Sequence, residues 1–334
     1  MIAAKAPTRY FCTYFDSKFL PMALAMFRSL RTHLPDSVLY ALCLDDDVYR
    51  QLSAAAIPGV VPIDLDEFEG SEPRLAQIKT ERTMAEYCFT CSPVLPGFVF
   101  EKFPEVPLVT YVDADLFFFS SPEPLFEDLD GYDVGIVPHR FPRRARWAEK
   151  YGRFNVGWVS FRRTAAGLEL IQRWRSQCLE WCFDRIEDGK FADQRYLDEW
   201  PAISNAVRVI THPGANLAPW NAAGHRISFR KGKVLVDGAP LIFFHFQGFR
   251  AISPSAFRTN FSRYLARPGR VVREHIFAPY VRALAAQGPI PLLPRPRPVD
   301  DRFGAVLRGC RIVGRRLLEI ALGETYHFGR ARRA

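Results

Sequence analysis

Through the first 250 residues, short apolar runs alternate with segments whose apolar positions recur at helical spacing. That rhythm predicts a parallel or mixed sheet covered by helices. RYFCTYF (9–15) reads as a first strand, PMALAMFRSLRTHL (21–34) as a helix entered through a proline, VLYALCL (38–44) as a second strand and VVPIDL (60–65) as a third. SPVLPGFVFEKF (92–103) carries Ser and Pro at its start, a capping pattern for another helix, with Pro96 and Gly97 interrupting it. VTYVDADLFFF (109–119) follows as a buried strand, then DVGIVP (133–138) and NVGWVSF (155–161). Beyond these come a helix from about Ala165 to Arg185, the strand VRVI (207–210), and a hairpin ISFRKGKVLVDG leading into PLIFFHF (240–246).

One strand breaks the pattern. Asp113 and Asp115 stand two apart inside an otherwise apolar run, and alternation along a strand points both to one side. Buried carboxylates pay for desolvation and, at close range, for mutual repulsion, so the pair implies a partner that neutralises both. The run of Phe117, Phe118 and Phe119 followed by Ser120, Ser121 and Pro122 marks the strand's exit, so the pair lies near its carboxyl end, where open α/β sheets bind ligands. A divalent cation held there would answer both charges and keep positions open for phosphate oxygens. The bland alternative is a pair hydrogen-bonded to loop amides.

Composition agrees with a globular chain: 334 residues, 48% hydrophobic and 14% aromatic, enough for a sizeable core. No leader precedes Tyr10 and no apolar run approaches the roughly 18 residues of a membrane span, which predicts a cytoplasmic protein. Seven scattered cysteines do not suggest a disulfide framework. Cys88 and Cys91 form a C-x-x-C, and Cys178 and Cys182 could pair with them around zinc, but their separation disfavours this and buried reduced thiols are expected.

The net charge of +9 is concentrated at one end: from Arg295 to Ala334, ten arginines face four acidic residues. GPIPLLPRPRP (288–298) reads as a stiff linker. In 301–323, Phe303, Val306, Leu307, Ile312, Val313, Leu317 and Ile320 fall near one helical face with arginines between them. Such a helix suits an anionic membrane surface, or it docks on the domain with its arginines in water. Nucleic acid is excluded as a partner, because no basic patch or binding motif occurs outside this tail.

The stretch V-T-Y-V-D-A-D-L-F-F-F-S-S-P resembles the D-x-D signature of nucleotide-sugar-dependent glycosyltransferases of the GT-A fold, particularly the retaining family 8-type enzymes of the lipopolysaccharide galactosyltransferase and glycogenin group. The resemblance extends over roughly residues 9 to 250. CTYFDSKFLPMALAMFRSL (12–30) is similar to that group's first strand and loop, and places Thr13, Tyr14 and Asp16 at the nucleotide base and ribose. FNVGWVSF (154–161) resembles its Asn-x-Gly strand, with Asn155 and Gly157 lining the donor sugar. FADQRYLDEW (191–200) resembles its Asp-Gln element, with Asp193 and Gln194 beside the anomeric carbon. FFHFQGF (243–249) resembles the segment bearing its third metal ligand, here His245.

The resemblance implies a GT-A (Rossmann-like) mixed sheet flanked by helices with a helical C-terminal extension. It divides the chain into a catalytic domain at 1–250, a helical extension at 251–287, a linker at 288–298 and a basic tail at 299–334. It implies a metal-dependent transfer of a sugar from a nucleoside diphosphate sugar, a UDP-sugar, to a hydroxyl of a glycan, lipid-linked or protein acceptor. Asp113, Asp115 and His245 would hold the metal, and an imidazole ligand suits Mn²⁺ better than Mg²⁺. Where the family follows the histidine with a lysine and a Pro-Trp pair contacting the diphosphate, this chain reads His245-Phe-Gln-Gly248-Phe-Arg250-Ala-Ile-Ser-Pro; Gly248 falls among the cofactor-binding residues, and Arg250 would replace the lysine, its guanidinium fork suiting phosphate oxygens. Asp193 would favour an oxocarbenium-like transition state with retention, or act as a general base with inversion, or merely cap the turn it begins. Trp220 is either a sugar-stacking platform or a loop anchor. Two other classes compete: a dehalogenase-like phosphatase, whose motif wants Thr or Val where this chain has Phe117, and a non-catalytic nucleotide-sugar-binding protein.

Overall fold

Strand β4 (Leu108–Val112), buried at every position, is the middle of a seven-stranded sheet in the computed structural model, which describes residues 7–288 and 322–328. On one side lie β1 (Tyr10–Phe15), β2 (Val38–Cys43) and β3 (Val60–Ile63), all parallel. On the other, β7 (Phe154–Arg162) runs antiparallel to β4 and to β6 (Val134–Pro138), and β8 (Val207–Val209) is parallel to β6. Central strands with both faces covered need continuous apolar sequence, which is why β4 and β7 read as unbroken runs.

Helix α1 (Leu20–His33) covers one face, where Met26, Phe27 and Leu30 join Phe11 and Val112 in one core cluster. The other face is covered by α5 (Met84–Lys102) and α7 (Ala165–Glu180), with Val94, Leu95, Phe98, Ile171 and Trp174 packed against Val109, Tyr111 and Phe161. Short helices fill the connections: α2 (Asp46–Ala55), α3 (Leu65–Ser71), α4 (Arg74–Glu81), α6 (Glu123–Asp128) and α8 (Trp200–Ile203).

Helix α5 begins eight residues before the expected Ser92. The true start is Thr83-Met-Ala-Glu86, a reciprocal capping box in which the Thr83 side chain accepts from the Glu86 amide while Glu86 accepts from the Thr83 amide at 2.9 Å. Ser92, Pro93, Pro96 and Gly97 are interior, and the two missing proline donors are tolerated because most of this turn region is buried in tertiary packing. Helices α2 and α3 have N-caps equally visible in sequence, Asp45 accepting from the Val48 amide and Asp64 from those of Asp66 and Glu67.

The run expected as one strand over 109–119 is two. Its chain turns at Asp113-Ala114-Asp115 and resumes as β5 (Leu116–Phe118), which leaves the central sheet and pairs antiparallel with β12 (Phe243–His245). Before β12, the expected hairpin forms as β9 (Ile227–Arg230) and β10 (Lys233–Val236), with β11 (Ala239–Pro240) added at its edge.

After β12 the extension opens with the antiparallel pair β13 (Arg250–Ser253) and β14 (Ala256–Arg258), then α9 (Arg270–Val272) and α10 (Ala278–Ala285). Phe244, Phe246, Phe249, Phe277 and Tyr280 form a second core here, with Tyr280 stacked on Phe246 at 3.6 Å. The amphipathic segment expected at 301–323 and nearly all of the proline-rich linker lie outside the described residues. The described piece of the tail returns to the domain: β15 (Thr325–His327) pairs with β14. Buried Glu324 accepts from the Asn260 amide at 2.7 Å and the Ser262 amide at 2.9 Å. Among the described residues no helix is long and apolar enough to cross a membrane.

Glu324 thus satisfies two backbone donors that no other group among the described residues meets. Glu324→Ala should lower stability by about 2–3 kcal/mol in urea unfolding followed by circular dichroism, the cost of leaving buried donors unpaired. A change under 0.5 kcal/mol would show that the returning segment does not clamp the extension.

Candidate active site at the end of the central strand

The turn after β4 and the end of β12 bring Asp113, Asp115 and His245 together, each offering a ligand atom within 4.8 Å of the others. His245 Nε2 lies 3.0 Å from Asp115 Oδ1 and 3.4 Å from Asp113 Oδ2. The cause of convergence is the turn, not strand alternation. The register that sets His245 opposite Leu116 and the Phe246 amide donating to the Asp115 carbonyl at 2.9 Å then hold the imidazole over it. His245 is 3% exposed, whereas the side chains of Asp115 and Asp113 are 13% and 29% exposed, so the opening to solvent is on the Asp113 side.

The imidazole is oriented by β7. Asn155 Oδ1 accepts from the Gly157 amide at 3.2 Å, which identifies that atom as the oxygen, and it therefore also accepts from His245 Nδ1 at 3.1 Å. With Nδ1 carrying hydrogen, Nε2 faces the two carboxylates and is free to ligate, the arrangement of an outer partner that fixes a ligand's tautomer. Gly157 makes this approach feasible: a Cβ there would sit 2.6 Å from Asn155 Oδ1 and 2.8 Å from His245 Nδ1. Asn155 and Gly157 act first on His245, where a direct contact with a donor sugar was expected.

The three groups shift one another's titration. Burial, then Asp115, push Asp113 up to about 6 against the pull of His245. Burial also acts to raise Asp115, but the charge and hydrogen bond of His245 and the charge of Arg250 hold it below the ordinary carboxylate value. His245 is raised, because Asp115 and Asp113 outweigh the effect of burial. Two oxygen donors and one imidazole, mutually close and already oriented, fit a divalent ion of the Mn²⁺ or Mg²⁺ class. Among the described residues no other group of three or more metal-ligating side chains converges; Cys88, Cys91, Cys178 and Cys182 are free thiols outside any such group.

Around the triad, Tyr111 donates to Asp113 Oδ1 at 3.0 Å. Arg250 lies over the Phe19 ring at 4.8 Å and its charge reaches Asp115, so it stands between the β1–α1 loop and the triad. Gly248 adopts φ +74°, and a Cβ would meet Asn260 Nδ2 at 2.5 Å; glycine is what permits the turn between His245 and Arg250. On β1, Thr13 is fully buried, and its hydroxyl has no partner among the described residues. Tyr14 Oη lies 3.2 Å from Ser92 Oγ. Asp16 is partly occupied, accepting from the Lys18 and Phe19 amides at 3.1 Å.

Asp193 is 5% exposed, and burial followed by the proximity of Asp113 drives it up to about 7 although Ser92 hydrogen-bonds it. Its side chain makes no cap bond to the turn that follows. Ala192 before it has φ +45°, a conformation unfavourable for a residue with a Cβ, and Trp174 Nε1 donates to the Asp193 carbonyl at 2.8 Å. Gln194 Nε2 donates to the Tyr151 carbonyl at 2.8 Å. Trp220 is 3% exposed, donates to the His139 carbonyl at 3.0 Å and meets His245 edge to face with ring centroids 5.0 Å apart; it is a loop anchor that buttresses the imidazole. Sequence reasoning missed Ser92, Tyr111 and His139. Only Tyr111 had a signal, its place two residues before Asp113.

No protein-family model matches the chain. It is 36% identical over 256 residues to the uncharacterized protein YfnF of Bacillus subtilis (strain 168), spanning 74% of this chain and 83% of that protein. It is 32% identical over 277 residues to the uncharacterized protein YfnD of the same organism, spanning 82% and 88%. Among solved structures, the galactosyltransferase LgtC in complex with donor and acceptor sugar analogs superimposes with a TM-score of 0.54 at 16% identity, covering 86% of this chain and 98% of that one. An active-site mutant of LgtC gives 0.52 at 15% identity, covering 84% and 97%. The mixed sheet flanked by helices is thus the GT-A fold.

Asp115 and Asp113 raise His245 above the ordinary histidine value, so proton and cation compete for Nε2. The site's Mn²⁺ affinity should therefore rise with pH through the raised histidine value, with proton release seen by calorimetry in buffers of different ionisation enthalpy. Gly157→Ala should weaken Mn²⁺ binding by 10-fold or more; unchanged affinity would show that His245 is not a ligand.

Proposed function

Because the chain belongs to the family of Bacillus subtilis YfnF and YfnD and has the GT-A fold, we propose that it is a metal-dependent glycosyltransferase moving a hexosyl group from a UDP-sugar to a hydroxyl acceptor. The observation that carries this reading is the Asp113–Asp115–His245 cluster at the carboxyl end of β4, with Asn155 fixing the tautomer that leaves Nε2 available. A bound Mn²⁺ or Mg²⁺ would supply Lewis-acid stabilisation of the departing diphosphate.

The chain's own residues divide the remaining work. Tyr14 and Asp16 border the side on which the base and ribose would lie. Arg250, a fixed cation beside Asp115, would add two donors to diphosphate oxygens. Asp193, close enough to Asp113 to feel its charge, would when ionised stabilise positive charge developing at the anomeric carbon, with Gln194 beside it, the expected course for retention. The alternative of a binding protein without turnover is disfavoured by Asp193, a carboxylate kept in an unfavourable burial with no capping role.

Calorimetric titration with UDP should show binding that depends on Mn²⁺ and loses that dependence in Asp115→Ala; undiminished UDP binding in EDTA would refute the site. Asp193→Asn should leave UDP affinity within a few-fold and reduce UDP-sugar turnover by roughly 10² or more. The same variant tests burial independently. A carboxyl raised to about 7 favours the folded state most fully below its unfolded value of about 3.9, and that contribution is lost as pH rises through about 7. Asp193→Asn should therefore raise the melting temperature of the metal-free protein more at pH 8 than at pH 5, by an amount worth at most about 4 kcal/mol. A variant that loses stability and activity together would make Asp193 structural.

A further inference from the structure

The segment Arg143–Tyr151 touches both sides of the site. Tyr151 accepts from Gln194 through its carbonyl, and Arg195 Nη1 donates to the Glu149 carbonyl at 2.9 Å, which ties the segment to the Asp193–Gln194 turn. Its opposite flank joins the loop that buttresses the triad: buried Ala145 and Ala148 pack in one cluster with Ala218, Trp220 and Tyr264. A line of rings follows from surface to triad. Trp147 lies nearly parallel to Tyr264 at 6.3 Å, Tyr264 meets Trp220 at 6.4 Å, and Trp220 meets His245 at 5.0 Å.

Trp147 stands at the outer end of that line and is 43% exposed. The side chains around it are cationic. Arg143, Arg144, Arg146 and Lys150 are exposed on the same segment and Arg263 on the neighbouring one, against a single carboxylate, Glu149. Glu149 pairs only with Arg146, at 3.5 Å. Arg143 and Lys150 have no carboxylate partner among the described residues, and Lys150 lies over the Tyr151 ring at 5.0 Å. In the glycosyltransferase reading Tyr14, Asp16 and Arg250 serve the donor, which leaves the surface joined to Gln194 and Trp220 for the second substrate.

We propose that Arg143–Tyr151, with Trp147 as a stacking platform and Arg143 and Lys150 as anion contacts, is the acceptor subsite, and that the acceptor is an acidic glycan carrying phosphate or carboxylate groups. This rests on the glycosyltransferase reading. An indole face matches the apolar face of a pyranose ring, and unpaired cations at the edge of the platform select the charged sugar over a neutral one of the same shape.

The test is binding of the full-length protein, with Mn²⁺ and UDP present, to an array of neutral, uronic-acid-bearing and phosphorylated glycans. Wild type should retain acidic glycans and not neutral ones, with the two acidic classes distinguishing carboxylate from phosphate recognition. Trp147→Ala should reduce retention at least 10-fold for every glycan bound, while Arg143→Glu combined with Lys150→Glu should remove the preference for acidic ones. Both variants should keep Mn²⁺-dependent UDP binding and the slow hydrolysis of UDP-sugar by water, which separates failure of this proposal from failure of the donor site. Equal retention of neutral glycans, retention unchanged in both variants, or no glycan retained by a protein that still binds Mn²⁺ and UDP would overturn it. Loss of sedimentation with phosphatidylglycerol vesicles in the same variants, without any effect on glycans, would reassign the surface to a membrane and equally overturn it.

Discussion

Two carboxylates and an imidazole confined within 4.8 Å form a group that is unstable in isolation, and much of the surrounding architecture exists to hold it. The β4 strand ends in a turn that throws Asp113 and Asp115 together; β12 brings His245 over them; β7 supplies Asn155 to orient the ring and Gly157 to leave room for it. The three groups act on one another, with His245 raised, Asp115 lowered and Asp113 pushed up to about 6. Their mutual geometry is set by the fold, which is what a divalent ion of the proposed kind would require.

That preorganisation depends on the extension. Phe246 and Phe249, which frame Gly248 and precede Arg250, are packed by Phe277 and Tyr280, and α10 also reaches α1 beneath the donor loop. The returning strand β15 and Glu324 fasten the elements that carry those rings. A residue far along the chain therefore bears on the position of His245, through packed side chains rather than through any direct contact.

Positive φ at non-glycine residues occurs around the site as well as in turns and at a helix end. Arg140, Ala192, Asn216 and Asn260 all have positive φ, and Arg140, Ala192 and Asn216 lie in the loops that carry His139, Asp193 and Trp220. Asn216 and His139 are buried with unpaired side-chain atoms among the described residues. Backbone conformations that cost on the order of 1–3 kcal/mol each persist only where packing overdetermines them; elsewhere the positive φ of Ala56 ends α2, and those of Lys231 and Asp237 turn the chain between β9, β10 and β11.

The sequence by itself determined the sheet-and-helix rhythm, because burial on both faces of a central strand demands an unbroken apolar run, and it exposed the Asp113–Asp115 pair, because charge inside such a run is anomalous. It also held the capping box at Thr83, a local pattern that the prolines downstream obscured. Only the tertiary structure decided which residues meet the pair. The turn at Ala114, the departure of β5 to join β12, the tautomer set by Asn155 and the need for glycine at 157 all arise from contacts between segments some 40 to 130 residues apart. Periodicity records which way a side chain faces along its own element, whereas ligand geometry depends on how elements from distant parts of the chain pack against one another, and no local pattern encodes that distance.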